Sequence, residues 1–81
     1  ASEGFFAVQV GAFRSRQNAE RLRERLARSH GHAVIQEYDS PQGRLHRVLV
    51  GRLPTAASAE ALAEKIEAEG GPSFVVRVDR P

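Results

Sequence analysis

The segment AVQVGAF at residues 7–13 decides the fold, because forty positions later residues 47–53 read RVLVGRL. In both segments two valines flank a single residue, and a glycine follows the second valine. The same shift aligns further positions, pairing Ala19 with Ala59, Leu22 with Leu62, Leu26 with Ile66, and Gly31 with Gly71. Strand, helix and turn positions agree in one register, so the chain is predicted to be two copies of one unit, at about 5–39 and 45–79.

Each copy is predicted to fold as strand, helix, strand. The strands are short runs rich in β-branched residues, and the helices show apolar residues at helical spacing between an N-cap, Ser15 or Thr55, and a glycine. In chain order the predicted elements are strand 5–10, helix 16–29, strand 33–38, strand 45–50, helix 56–69 and strand 73–79. A turn at 39–43 joins the copies.

Two such units in series predict an α+β fold of the βαββαβ, ferredoxin-like or RNP-like type. Right-handed crossovers place both helices on one face of a four-stranded antiparallel sheet. The opposite face then has no helix over it. A chain of 81 residues suffices for one core, so residues 1–81 are predicted to form a single domain.

The composition excludes several classes of functional site. There is no cysteine, which excludes disulfides, thiolate metal sites and cysteine nucleophiles. No catalytic constellation stands out, and His30 and His32 are interpreted as loop residues, so neither an enzyme, a metal nor a cofactor is predicted. The net charge is +2, with six arginines against two glutamates in 14–28 and four glutamates against one lysine in 55–69. The first residue is Ala1, which we interpret as a piece of a longer protein or a processed product.

Alternation along the strands predicts which side chains reach the open face. The predicted outward residues are Phe5, Ala7, Gln9, Arg47, Leu49, Val75, Arg77 and, on the ambiguous second strand, Ile35 and Glu37. The predicted inward residues are Phe6, Val8, Val10, Val48, Val50, Phe74, Val76 and Val78. Gln9 is either a contact for sugar hydroxyl and acetamido groups or an ordinary residue of a solvated sheet. Phe5 and Tyr38 are candidates for stacking on a ring. Phe13 and its repeat equivalent Leu53 are interpreted as core residues in preference to ligand platforms, because duplicated apolar positions usually serve packing.

Three stretches together resemble a SPOR domain. They are Ala7-Val8-Gln9-Val10-Gly11-Ala12-Phe13, then Ala19-Glu20-x-Leu22, then Leu45-His46-Arg47-Val48-Leu49-Val50-Gly51-Arg52-Leu53. The resemblance is greatest to the SPOR domains of septal lytic transglycosylases of the rare lipoprotein A type and of cell-division proteins. It implies a non-catalytic domain that binds peptidoglycan glycan strands lacking stem peptides, in the periplasm or cell envelope at the division septum.

The resemblance also implies the site. The glycan-contacting glutamine of the family matches Gln9, and the following loop matches residues 11–14; aromatic contacts of some members fall near His46 and near Ser73 or Phe74. Guanidinium groups would meet the lactyl carboxylates of a denuded strand. The predicted glycan-binding residues are Gln9, Gly11, Ala12, Phe13, Arg14, His46, Arg47, Leu49, Arg52 and Arg77. The expected domain is a monomer that binds no nucleic acid and does not insert into a membrane.

Two other readings remain open at this point. Residues 8–14 superficially resemble the phosphate loop of acylphosphatases, although glycine and valine are swapped and no asparagine lies between Ala33 and Tyr38. An RNA-binding RRM also uses an open sheet, but it stacks bases on aromatic residues of its first and third strands. Here those positions are Ala7, Gln9, Arg47 and Leu49.

Overall fold

The computed structural model describes residues 4–78, which form four strands and two helices in the predicted order. The elements are β1 (Phe5–Phe13), α1 (Arg16–His30), β2 (Ala33–Ser40), β3 (Gly43–Leu53), α2 (Ala56–Ala68) and β4 (Phe74–Val78). One antiparallel sheet results, with the strand order β2-β3-β1-β4. The βαββαβ fold is confirmed; the predicted end of the last strand at Asp79 lies outside the described residues.

The helices begin where the capping residues predict. The hydroxyl oxygen of Ser15 accepts a hydrogen bond from the Asn18 backbone N–H at 3.2 Å, and that of Thr55 accepts one from the Ser58 N–H at 3.1 Å. Each cap satisfies a donor that has no partner inside its helix. α1 ends at Gly31, which has a φ of 91° and donates its N–H to the carbonyl of Ala27 at 2.9 Å.

The core lies between the helices and one face of the sheet. Its buried residues are Val8, Val10, Ala19, Leu26, Val48, Val50 and Ile66. The four valines come from the two central strands, as the repeated segments predict. Ala19 and its repeat equivalent Ala59 are fully buried, and their small side chains let each helix approach the sheet closely.

Two irregularities in the β1–β3 pairing lie at the repeated glycines. The register shifts between Gln9 and Gly11, and again opposite Gly51. Cβ atoms added at Gly11 and Gly51 would lie 2.9 Å from Phe13 Cε2 and from Leu62 Cδ2, respectively, so both glycines face the helix side. Both strands continue past these glycines, which is why β1 and β3 reach residues 13 and 53 rather than ending at 10 and 50.

The predicted faces of β2 and β4 were wrong. Val75 pairs with Val8 and Arg77 with Phe6, so these two residues share the helix side with the core valines, and Phe74, Val76 and Val78 lie on the open face. Four of the five residues of β4 are apolar, so alternation gives no signal there. The register with β1 decides instead.

On β2, Ile35 pairs with Val48 and packs against the core, and Glu37 pairs with His46 on the same side. The carboxylate of Glu37 is satisfied there because Arg16 of α1 donates to it at 2.8 Å. This orientation leaves Val34 exposed on the open face. The packing of Ile35 against the core offsets the exposure of one valine, and the exposed ion pair adds little.

Gly11 and Gly71 provide a matched test of the close approach between β1 and α1, because neither has a positive φ. A Cβ at Gly11 meets Phe13 and Leu22, whereas one at Gly71 has nothing within 4 Å. Gly11→Ala is expected to lower the free energy of unfolding by about 1 to 3 kcal/mol through overpacking. Gly71→Ala should leave it unchanged or raise it by up to about 1 kcal/mol. Urea unfolding measures both; equal effects would contradict this packing.

Candidate functional site

The open face is the side of the sheet opposite the helices. Cross-strand pairing assigns to it Phe5, Ala7, Gln9 and Ala12 of β1, Val34, Gln36 and Tyr38 of β2, Leu45, Arg47 and Leu49 of β3, and Phe74, Val76 and Val78 of β4. Arg52 joins them because its guanidinium carbon lies 4.5 Å from the centre of the Phe5 ring. No helix among residues 4–78 covers this surface.

Arg47 is the centre of a polar network that joins three strands. Its Nε donates to Gln36 Oε1 at 2.8 Å, its Nη2 donates to the same oxygen, and its Nη1 donates to Gln9 Oε1 at 3.4 Å. Its guanidinium carbon lies 5.1 Å from the centre of the Tyr38 ring, within the range of a cation–π interaction. The network fixes the position of a half-buried cation on the open face.

This network also fixes the orientation of both amides. A guanidinium has only donors, so the carbonyl oxygens of Gln9 and Gln36 must face Arg47 and their NH2 groups must face away. Within the part of the chain that the structure describes, neither NH2 group has a hydrogen-bond partner, and no carboxylate lies within 4 Å of Arg47. The open face therefore presents donors and an uncompensated positive charge, which suits a ligand rich in oxygen acceptors.

Aromatic rings stand at both edges of the sheet. Phe74 of β4 lies opposite Gln9 and has 64% of its surface exposed, and Tyr38 of β2 has 43% exposed. Because the two rings flank the polar network on the same face, they are candidate platforms for a ligand. Three strand spacings separate the edges, which makes the face about 14 Å wide.

Ala7 and Leu49 belong to the open face but are closed to solvent, at 1% and 3% exposure. The prediction that both side chains point to the open face is confirmed, but the prediction that they are exposed there was wrong. Both lie on central strands, and Leu49 is flanked in the register by Gln9 and Val34. They form an apolar floor under the polar network rather than a contact surface.

The structure brings together some of the residues predicted from sequence and separates others. Gln9, Ala12, Arg47, Leu49 and Arg52 lie on the open face. Exposed Arg14 lies in the connection between β1 and α1. Four predicted residues instead lie on the helix side: Gly11, Phe13, His46 and Arg77. His46 and Arg77 lie on the same faces of their strands as residues that pack on the helix side. Gly11 and Phe13 lie on the helix side because the register shift at Gly11 exchanges the faces of β1, and simple alternation does not detect that shift.

His46 illustrates the correction. Its ring is nearly buried on the helix side, with Nδ1 3.5 Å from Glu37 Oε2 and without a hydrogen-bond partner. It cannot reach a ligand on the open face. Arg77 lies likewise with its guanidinium carbon 5.9 Å from the Phe6 ring centre.

Sequence reasoning missed Gln36 entirely and assigned Phe74 to the core. The signal that identifies Gln36 is its alternation with Val34 and Tyr38, which becomes useful only once the register of β2 against β3 is known. Among residues 4–78, no group of three or more His, Cys, Asp or Glu side chains is placed to hold a metal ion. No helix in that range is long and apolar enough to cross a membrane.

The fold defines an α+β module with one uncovered sheet face, which is the candidate ligand-binding surface. The family model described as SPOR domain matches residues 2–77, and the chain belongs to this family.

Two solved structures are similar to this chain. The crystal structure of the RlpA SPOR domain from Pseudomonas aeruginosa has a TM-score of 0.76 and 28% identity, and the match covers 94% of this chain and 99% of that one. The solution structure of the peptidoglycan binding domain of the B. subtilis cell wall lytic enzyme CwlC has a TM-score of 0.72 and 25% identity, over 95% of this chain and 92% of that one. Comparison with curated proteins finds no match.

A double-mutant cycle tests the network. Gln36→Ala and Arg47→Ala are expected to couple by about 1 kcal/mol in the free energy of unfolding, because each removes the same charge-assisted hydrogen bonds. Pairing Arg47→Ala with Gln17→Ala, an exposed glutamine on α1, should be additive within about 0.5 kcal/mol. Additivity in both cycles would show that the network does not persist in solution.

Proposed function

We propose that this domain binds the glycan strands of peptidoglycan, selects strands that lack stem peptides, and has no catalytic role. It localises the protein that carries it to the division septum in the cell envelope. The observation that carries the proposal is the Arg47 network, which turns the amide donors of Gln9 and Gln36 outward between two exposed aromatic rings.

The similar structures support peptidoglycan as the partner. One is itself a SPOR domain, and the other is the peptidoglycan binding domain of a cell wall lytic enzyme. The matches cover more than nine-tenths of each chain, so the likeness extends over the whole sheet, including the strands that form the open face.

The chemistry of the open face fits a glycan. Peptidoglycan sugars carry hydroxyl, acetamido and ether oxygens, which accept hydrogen bonds from the amide NH2 groups of Gln9 and Gln36. The apolar face of a sugar ring packs on an exposed aromatic side chain, and Phe74 is available beside Gln9. A ligand that contacts Phe74, Gln9 and Arg47 crosses the strands from β4 toward β2, which favours a polymer over a single sugar.

The charge of the open face supports selection of denuded strands. Removal of a stem peptide frees the lactyl carboxylate of each muramic acid, and the guanidinium of Arg47 has no carboxylate partner among residues 4–78. Arg52, stacked on Phe5, and Arg14 add exposed positive charge. Charge-assisted hydrogen bonds are about twice as strong as neutral ones. An intact strand would carry a peptide where the carboxylate binds, which excludes it sterically.

Binding to isolated sacculi tests the selection. Treatment with an amidase that removes stem peptides should increase binding of the domain, because it exposes the carboxylates. Gln9→Glu keeps the shape of the side chain but replaces an NH2 donor by a carboxylate, and it should weaken binding about tenfold or more. The matched control Gln17→Glu adds the same charge on α1 and should bind normally. Binding unchanged by the amidase, or displaced by single-stranded RNA, would contradict the proposal.

Phe74→Ala separates binding from folding. Because Phe74 is largely exposed, its removal should change the free energy of unfolding by no more than about 0.5 kcal/mol. Binding to amidase-treated sacculi should fall about tenfold, the value of one aromatic contact. Phe74→Trp should restore it. Normal binding by the alanine variant would place the glycan elsewhere on the domain.

A further inference from the structure

The helix side of the molecule carries a second surface feature, a cleft between α1 and α2. No Cα atom of one helix comes within 8 Å of the other, so the two helices leave part of the core open between them. The cleft has a volume of about 740 Å³. We call it the interhelix cleft; its apolar lining is Val10, Phe13, Leu22, Leu26 and Ile66. Its size and apolar lining are those of a ligand site.

One wall of the interhelix cleft is positively charged. Arg25 and Ser29 of α1 line the cleft, and Arg21 and Arg28 continue the same exposed stripe along the helix. None of these three arginines has an ion pair within residues 4–78, whereas Arg16 and Arg23 on the other flank of α1 both pair with Glu20. The positive charge beside the cleft is therefore not used inside the fold.

Two acids lie nearby and do not cancel this charge. Glu69, at the end of α2, lines the cleft and lies 3.1 Å from His30 Nε2. Glu24 lies in the same groove as Arg21, Arg25 and Arg28, so one negative charge stands beside three positive charges there. The wall keeps a net positive charge, and its complement is an anionic ligand with an apolar part.

We propose that the interhelix cleft is a second binding site, which takes a short acidic protein segment with one apolar side chain inserted between the helices. The apolar floor is recessed, since Val10, Leu26 and Ile66 are buried below the rim, so a protruding side chain reaches it and a flat bilayer surface does not. Seven residues separate Arg21 from Arg28, which spreads the charges over about 10 Å. That spacing fits several carboxylates along a peptide.

The interhelix cleft adjoins the proposed glycan site at one point, since Ala12, which the register places on the open face, also lines the cleft. The cleft opens on the helix side, and the Arg47 network lies across the sheet from it. One domain then holds a polymer on one face and a protein segment on the other. Such a bridge needs no conformational change, because neither the Arg47 network nor Phe74 lines the cleft.

The probe is a pool of blocked octapeptides in which glutamates surround one leucine, isoleucine or phenylalanine, added to the isotope-labelled chain. We expect saturable NMR shift changes at Leu22, Leu26 and Ile66, without changes at Gln9 or Arg47. Arg25→Gln should weaken binding about tenfold, the loss of one charge-assisted contact. Ser29→Trp, at an exposed position of the wall, should block the cleft. Both variants should bind amidase-treated sacculi normally, because neither residue lies on the open face. The reverse control is Arg52→Gln, which changes the open face and should retain peptide binding.

Three results would overturn the proposal. One is the absence of saturable shifts at the cleft residues up to millimolar peptide. Another is equal binding of a pool in which lysine replaces glutamate, which would show an apolar contact without charge selection. The third is stronger binding of vesicles rich in anionic phospholipid, lost on Arg25→Gln, which would assign the arginine stripe to a membrane.

Discussion

The pairing of β1 with β3 is the constraint on which the rest of the structure depends. These strands carry the two copies of the repeated segment, and their four valines form the part of the core that both helices cover. The same pairing places Gln9 beside Leu49 and Ala12 beside Arg47 on the other side of the sheet. A single antiparallel register therefore sets the core and the candidate site together, and a slip by one residue would exchange the two faces.

Two shifts in this register lie at Gly11 and opposite Gly51, the glycines of the repeated segments. At Gly11 and Gly51 the chain passes so close to α1 or α2 that a Cβ would contact Leu22 or Leu62. The register shift at each glycine lets the strand continue, and it returns Ala12 and Arg52 to the open face. The two copies differ at this point, because the second supplies Arg52 to the open face where the first supplies Ala12.

The sequence allowed the elements, the fold and the faces of the valine-rich parts of β1 and β3 to be predicted, because the core valines recur there at every second position. It did not determine the faces of β2 and β4. β4 has a single polar residue, Arg77, which gives too weak an alternation to assign its faces, and on β2 the choice depends on the packing of Ile35 against core residues from distant segments. Gln36 and Phe74 were missed for this reason. Of the candidate site, Tyr38 and residues on the central strands were therefore found from the sequence.

Charge pairing elsewhere explains why Arg47 remains available. The nearest acids on β2 are Glu37 and Asp39, and both point to the helix side, where Arg16 and Arg44 bind them. The hydrogen bond that Arg44 donates to Asp39 raises the pKa of Arg44 above its ordinary value. Arg47 is left with two amides and a ring as partners, none of which neutralises it. Amides hold a guanidinium in place without cancelling its charge, and a carboxylate at either position would have fixed the geometry at the expense of attraction for an anionic polymer.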